Sequence, residues 1–131
     1  MGSRRLVGDS AGAMTLIDDR TREDVAAEMK MTFDTMIEDG MPYAGKVLQI
    51  DEESIGRMTT VAASIGAGVA LPAGFAWRMK DNSSVAMDET AFLAMATAAF
   101  DYVNALRVRM WTAIDAARSA ATDAAARAVV F

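Results

Sequence analysis

The sequence predicts an α+β fold in which a small β-hairpin packs on helices and a long amphipathic helix lies towards the C-terminus. Two short runs of strand-forming residues, 75–79 and 85–87, flank the turn sequence Asp81-Asn82-Ser83-Ser84 and predict the hairpin. After the capping residue Asp88, apolar residues recur at three- and four-residue steps to residue 117, which predicts the long helix. A chain of 131 residues is long enough for one domain with its own core.

Composition removes several classes of function. The chain contains no Cys and no His, which excludes thiol chemistry, Cys-ligated zinc and hydrolases of the Ser-His-Asp or Cys-His type. The net charge is −5 and no basic cluster is present, so we expect no nucleic-acid binding. Residues 58–77 carry no charge, but Gly, Ser, Thr and Pro divide them into a helix end and a loop, so we expect no membrane insertion.

The N-terminal third of the chain is predicted to hold an arm, a helix and a strand. Residues 1–13 show no apolar period and lack the apolar run of a signal peptide, so we expect a flexible arm before a single domain at residues 14–131. The first helix is predicted to begin at Thr21, which forms a capping-box pattern with Asp24, and to end at Gly40. Residues 45–50 are predicted to form a short strand.

The first helix has a Met-rich face formed by Met29, Met31 and Met36. Such a face is either ordinary core packing or a pliable docking surface, and both interpretations stay open from the sequence.

A second helix is predicted to follow the acidic run Asp51-Glu52-Glu53 and to end near Gly66. Clustered carboxylates can bind a hard cation or carry acid–base chemistry. Acids at a helix N-terminus are also stabilised by the helix dipole, and we interpret this run as a cap. The sequence therefore predicts no catalytic residue, no cofactor site and no metal site. A weak Ala-rich helix is predicted at residues 122–128.

The long helix presents more apolar surface than one compact domain needs. Extended to Arg118, it would be about 45 Å long, against roughly 36 Å for the diameter of a compact domain of this size. We expect its excess apolar surface to contact another chain. The predicted interface residues share large apolar or aromatic side chains: Trp77, Phe92, Phe100, Leu106, Met110 and Trp111. The alternative is that such residues close the core of the chain itself.

Several short motifs in this stretch carry a family resemblance. They are Trp77-Arg78, Asp81-Asn82, Val85 with Met87, Asp88, Arg109 with Trp111, and Asp115-Ala116-Ala117. Together they resemble DUF4376, a family of domains of unknown function found in tail and tail-fibre-associated proteins of bacteriophages and prophages. The resemblance covers residues 41–125. The sequence departs from the pattern at Lys80, where a small residue is usual, and at Ala86, where proline is frequent.

The resemblance implies a non-catalytic structural component of a phage tail, tail fibre or baseplate that acts through protein–protein contacts. It implies other tail or fibre proteins as partners, and a place in the virion after synthesis in the bacterial cytoplasm. The long helix adds the expectation of a homo-oligomer, and the symmetry of tail and fibre parts implies a trimer or a hexamer. The alternative function is a tail-fibre assembly chaperone that binds fibre subunits transiently through the Met-rich face. An enzyme using Asp51 and Glu53 is the third hypothesis, and we expect no enzyme because no pattern for a cleft accompanies them.

Overall fold

The computed structural model describes residues 2–8 and 12–131 and has the α+β fold that the sequence predicts. The strands are β1 (Arg4–Gly8), β2 (Met14–Asp18), β3 (Met41–Tyr43), β4 (Lys46–Leu48), β5 (Ala76–Arg78) and β6 (Ser84–Ala86). The helices are α1 (Arg22–Asp39), α2 (Glu52–Gly66), α3 (Glu89–Ser119) and α4 (Asp123–Ala126). Within the described residues, the strands form three antiparallel pairs, β1–β2, β3–β4 and β5–β6.

The chain divides into two compact units, one formed by Met1–Phe33 with Arg107–Phe131 and the other by Asp34–Leu106. We call them the terminal unit and the central unit. The single domain expected at residues 14–131 stays a prediction.

The starts of the helices confirm the capping residues that the sequence indicates. Thr21 and Asp24 exchange hydrogen bonds at the start of α1: the Thr21 N–H donates to Asp24 Oδ2 at 3.0 Å, and the Asp24 N–H donates to Thr21 Oγ1 at 3.1 Å. Asp51 accepts a hydrogen bond from the Ser54 N–H and caps α2. Asp88 accepts one from the Ala91 N–H at 2.8 Å and caps α3. Each cap satisfies a backbone donor that the first helical turn leaves unpaired.

The core of the central unit forms around Phe92 on α3, which is fully buried. The Phe75 ring meets it edge-on with centroids 5.9 Å apart, and the Trp77 ring lies 5.4 Å away at a tilt. Trp77 of β5 therefore packs on α3. The other buried residues of this core are Met41, Leu48, Ile50, Met58, Met79, Met95, Ala96, Ala99 and Val103.

The C-terminal end of α1 is completed by residues outside the helix. Its last residues, Glu38 and Asp39, are acids at the negative end of the helix dipole, which is unfavourable. Lys80 Nζ donates to the carbonyl oxygens of Glu38 and Asp39, at 2.8 and 3.2 Å. Lys80 thus supplies the positive charge that the end of α1 lacks, which gives a structural reason for a lysine where the family pattern has a small residue.

The turn between β5 and β6 confirms the turn chemistry of its residues. Asn82 has a φ of +70°, in the left-handed region that asparagine tolerates better than most residues. The Asp81 carboxylate accepts a hydrogen bond from the Ser83 N–H at 2.8 Å.

The terminal unit has a smaller core, made mainly of alanine. Its buried residues are Val25, Ala26, Met29, Ala113, Ala117 and Ala126. Two ion pairs span its surface, Arg22 with Asp123 at 3.2 Å and Arg118 with Glu23 at 3.1 Å. The described part of this unit also contains α4, capped by Thr122, which confirms the weak C-terminal helix.

The N-terminal hairpin β1–β2 is a finding that the sequence did not predict. Residues 4–8 of the expected flexible arm form β1, which pairs in register with β2. Met1 and residues 9–11 of that arm lie outside the described residues. Polar contacts anchor the base of the hairpin: the Gly2 N–H donates to Asp24 at 2.7 Å, and Arg5 pairs with Asp19 at 2.9 Å. These contacts join residues that are far apart in the sequence, so the spacing of apolar residues does not predict them.

Strand β3 is also absent from the prediction. It contains Pro42, which lacks a backbone N–H donor, so the sequence does not favour a strand at these residues. Proline is tolerated in an edge strand, and β3 pairs only with β4 among the described residues.

Candidate functional site

The structure separates the six predicted interface residues into three groups. Phe92, Leu106 and Met110 are buried by the chain itself, with at most 8% of each residue exposed. The burial of these three residues supports the alternative interpretation, in which they close the core of the chain itself. Trp77 and Phe100 are half-buried and pack against the core of the central unit. Trp111 is 53% exposed, so it is the residue of the six with a largely free ring.

Trp111 belongs to an exposed apolar surface on the terminal unit. Val108 lies one helical turn before it on α3, and Val130 lines the same groove as Val108. All three side chains are exposed. The groove holds about 260 Å³ and lies between the C-terminal part of α3 and residues 129–131. Trp111 itself does not line the groove, but it lies next to Val108 at the edge of the groove. We call Val108, Trp111, Val130 and this groove the Trp111 surface.

Arg109 holds the wall of this groove in place. Its guanidinium lies 4.8 Å from the centre of the Phe131 ring, and it donates a hydrogen bond to the Phe131 main-chain oxygen at 3.2 Å. A cation over an aromatic face is attracted by the ring quadrupole. Arg109 and Trp111 form the late motif of the family resemblance. Residues two apart on a helix point in nearly opposite directions, so Arg109 positions residues 129–131 while Trp111 stays exposed.

A second exposed apolar surface lies on the N-terminal hairpin. Leu6 stands opposite Leu16, and Met14 stands opposite Gly8. These positions share one face of the strand pair because side chains alternate along a strand. Leu6, Met14 and Leu16 are each more than 60% exposed. We call them the hairpin face; the sequence signal that could have found it is the two-residue spacing of Leu6 with Gly8 and of Met14 with Leu16.

The Met-rich face of α1 does not form a single surface. Met29 is buried in the core of the terminal unit, and Met36 is half-buried. Met31 is 66% exposed, and its position two residues from Met29 places it on the other side of the helix. The core-packing interpretation therefore fits Met29, and the docking interpretation keeps only Met31.

The acidic run before α2 is engaged in local structure. Asp51 accepts hydrogen bonds from the Ser54 N–H and hydroxyl, and Glu53 pairs with Arg57 at 2.9 Å. The Ser54 hydroxyl, with the backbone N–H, holds the pKa of Asp51 below its ordinary value. A general acid at neutral pH needs a raised pKa instead. In the part of the chain that the structure describes, no group of three or more Asp or Glu side chains is placed to hold a metal ion. No helix there is both long and apolar enough to cross a membrane.

A shallow groove of the central unit lies beside the β3–β4 turn. It holds about 550 Å³ and is lined by Pro42, Gly45, Lys46, Val47, Lys80 and Asp81. Its two cations already have partners. Lys46 Nζ lies 3.6 Å from the Asp81 carboxylate, and Lys80 caps α1. The groove thus offers a mostly apolar floor with its charges engaged.

A buried arginine joins β2 to α1 in the terminal unit. The Arg20 guanidinium donates to both carboxylate oxygens of Asp18, at 2.9 and 2.8 Å, and also to Glu28. Its main-chain oxygen accepts a hydrogen bond from Arg127 Nε at 2.8 Å. The cluster is self-satisfied, so it holds the fold together and leaves no free cation for a ligand.

Acidification is expected to weaken this cluster over a defined range of pH. The hydrogen bonds from Arg20 lower the pKa of Asp18 from 3.8 to about 2. Because the folded pKa lies below the unfolded value, the pair stabilises the protein above about pH 4, and this contribution is lost as the pH falls to about 2. Urea unfolding across this range should therefore show a steeper loss of stability for the parent than for Asp18→Asn.

The matched control for this measurement is Glu53→Gln, which removes an ion pair whose two side chains are mostly exposed. We expect it to leave the urea midpoint nearly unchanged at every pH. An equal loss of stability in the parent and in Asp18→Asn between pH 4 and pH 2 would show that this pair does not stabilise the folded state.

These features define a small α+β fold with two exposed apolar surfaces, the Trp111 surface and the hairpin face, and with several charged side chains paired within the chain. The sequence profile of a family described as a domain of unknown function (DUF4376) matches residues 20–130. The protein therefore belongs to the DUF4376 family, as its motifs predict. The matched residues extend beyond residues 41–125, which the resemblance covers. The N-terminal hairpin precedes the matched residues. No curated protein and no solved structure matches the chain.

Proposed function

We propose that this protein is a non-catalytic structural component of a phage tail, tail fibre or baseplate and acts through protein–protein contacts. The observation that carries the proposal is the Trp111 surface, which presents an exposed tryptophan in the region of the family motif. The phage role comes from the resemblance of that region to tail-associated domains.

The chemistry of the Trp111 surface favours a protein partner over a small molecule. Tryptophan is enriched among the residues that dominate binding energy at protein interfaces. The groove, which Val108 joins to Trp111, is lined by valine, alanine and phenylalanine side chains, with Thr112 and Arg109 as its polar members. Arg109 is engaged with Phe131, so few polar groups are free to orient a small ligand, which binding sites for such ligands usually provide.

The proposed partners are other tail or fibre proteins, and the proposed assembly is a homo-oligomer. The exposed part of the Trp111 surface is small beside the 20–30 residues a side of a stable interface. It therefore suits a contact in a larger assembly, where several weak contacts act together. We propose the virion as the location of the mature protein.

Replacement of Trp111 by Lys is expected to reduce incorporation into particles at least tenfold, because it places a charge in the middle of the contact. Val69→Lys is the matched control, since Val69 is also exposed and lies after α2, outside the Trp111 surface. The measurement is the copy number of the chain in purified particles by quantitative mass spectrometry, beside far-UV circular dichroism of each variant.

A parent chain that is made during infection or induction but is absent from purified particles would overturn the structural role. Equal copy numbers for Trp111→Lys and Val69→Lys would remove the Trp111 surface from the contact. Mass in solution, from size-exclusion chromatography with light scattering, tests the oligomer separately; a trimer or hexamer supports it, and a monomer at high concentration contradicts it.

The assembly chaperone is less well supported by the geometry. Its candidate binding face is the Met-rich face of α1, and Met29 on that face is part of the core. A chaperone would also bind fibre subunits during assembly and be absent from finished particles. The same mass-spectrometric measurement therefore separates the two functions.

A further inference from the structure

Strand β1 carries unpaired backbone groups along its outer edge. In an antiparallel pair, opposite residues alternate between those that exchange N–H···O bonds and those that do not. The Asp19 N–H donates to the Ser3 oxygen at 3.1 Å, so residues 3, 5 and 7 direct their backbone groups towards β2. Residues 4, 6 and 8 direct theirs away from it. Among the described residues, no further strand pairs with this edge.

The outward-facing residues of β1 match a second copy of β1. When two β1 strands lie antiparallel about a two-fold axis at Leu6, Leu6 meets Leu6 of the second copy and Arg4 meets Gly8. All three outward-facing residues are then opposite outward-facing residues. A register displaced by one residue would place them opposite residues 5 and 7, whose backbone groups are already used by β2. The matched register provides about six new backbone hydrogen bonds.

Charge also favours this register. Arg4 stands opposite a glycine, so its side chain meets no side chain across the pair. The two copies of Arg4 lie about 14 Å apart along the strands, beyond the screening length of about 8 Å at physiological salt. Arg5 is paired with Asp19 within its own chain. No like charges are therefore opposed at the contact.

The side chains explain why a second copy would stabilise the hairpin. A two-stranded pair alone is marginally stable, whereas three or more strands with an apolar face can be stable independently. Joining two hairpins places Leu16, Leu6, Leu6 and Leu16 in one row across four strands, with a Met14 on either side. The exposed hairpin face becomes one continuous apolar strip.

We propose that β1 is a docking edge for a second copy of this chain and that two hairpins form one four-stranded antiparallel sheet. The contact is two-fold and closes at two copies. It involves five residues a side, well below the 20–30 of a stable interface, so the dimer is weak and depends on concentration. The proposal concerns self-association and does not rest on the phage role.

A cysteine placed at the two-fold axis tests the register directly. The natural chain contains no cysteine, so Leu6→Cys introduces one thiol. Residues that exchange hydrogen bonds across antiparallel strands have Cα atoms about 5.5 Å apart, within the 4.4–6.8 Å range of disulfides. We expect Leu6→Cys to form a covalent dimer under mild oxidation at least ten times faster than Met31→Cys, read by non-reducing electrophoresis.

Leu16→Cys is the control on the hairpin itself. Leu16 is nearly as exposed as Leu6, but its two copies would be about 14 Å apart across the sheet, too far for a disulfide. Rapid crosslinking at residue 6 with slow crosslinking at residues 16 and 31 supports the proposal. Equal rates at residues 6, 16 and 31, or faster crosslinking at residue 16, would overturn it.

A second pair of variants tests the same contact without crosslinking. Leu6→Lys places two positive charges opposite each other at the axis, where charged edge residues prevent pairing. Met31→Lys makes the same charge change at similar exposure elsewhere. We expect sedimentation over a concentration series to give a dimer dissociation constant at least tenfold higher for Leu6→Lys than for the parent. The constant for Met31→Lys should equal that of the parent. A parent that stays monomeric throughout, or a dimer unchanged in Leu6→Lys, would overturn the proposal while leaving the phage role untouched.

Discussion

Replacement of Phe92 by Ala is expected to lower the free energy of unfolding by about 4 kcal/mol, the usual cost of removing a fully buried phenylalanine. The substitution leaves a cavity where the rings of Phe75 and Trp77 meet Phe92. Partial relaxation of its neighbours cannot restore those contacts. The measurement is urea unfolding followed by circular dichroism.

Trp111→Ala is the matched comparison, because both residues are aromatic, both lie on α3 and both are predicted from the sequence to be interface residues. Trp111 is more than half exposed, so its loss should cost less than about 1 kcal/mol of stability. A larger loss of stability for Trp111→Ala than for Phe92→Ala would mean that Trp111 is the core residue and Phe92 the surface one.

Replacement of Gly40 by Ala is expected to cost about 3 kcal/mol, from a strained backbone together with a steric clash. Gly40 follows α1 with a φ of +89°, and a Cβ built there would lie 2.7 Å from the Leu48 main-chain oxygen. Backbone atoms of β4 cannot move aside as a flexible side chain can. The loss should appear as a lower urea midpoint with an unchanged slope.

Gly45→Ala is the control that separates the two causes. Gly45 has a φ of +75°, close to that of Gly40, but a Cβ there would meet no atom within 4 Å. We expect its cost to be about 1 kcal/mol, the backbone contribution alone. Equal costs at the two positions would mean that β4 yields to the new methyl group and that the clash contributes nothing.

Local chemistry explains why much of the fold could be predicted. The caps formed by Thr21, Asp51 and Asp88 and the stop at Gly40 lie within a few residues of the helix ends that they determine, so the sequence pattern reveals them. The turn at Asp81 is local in the same way. Helix α3 is continuous over 31 residues, as its apolar spacing predicts, and is about 46 Å long.

The elements that were not predicted depend on contacts between residues far apart in the chain. The hairpin β1–β2 is anchored by Asp24 and Asp19, and the strand β3 is defined by its pairing with β4. The lysine at position 80 looked like a departure from a pattern because its partners, Glu38 and Asp39, lie 42 and 41 residues earlier.

Candidate contact residues were predictable as large apolar side chains on α3, but their exposure was not. Leu93, Phe100 and Trp111 recur on α3 at steps of seven and eleven residues, which places them in one line along the helix, and Trp111 in this line is exposed. Phe92 and Met110 lie on a neighbouring apolar stripe of the same helix and are buried. Which stripe the chain itself covers is decided by the packing of other elements, and the sequence of one helix does not contain that information.

The buried methionines of the central unit affect how its sequence can diverge. Met41, Met58, Met79 and Met95 are unbranched and flexible, so each can adjust when a neighbouring side chain changes in size. A core of branched residues transmits such a change as strain. This chain can therefore accept substitutions around these positions with little change to its backbone.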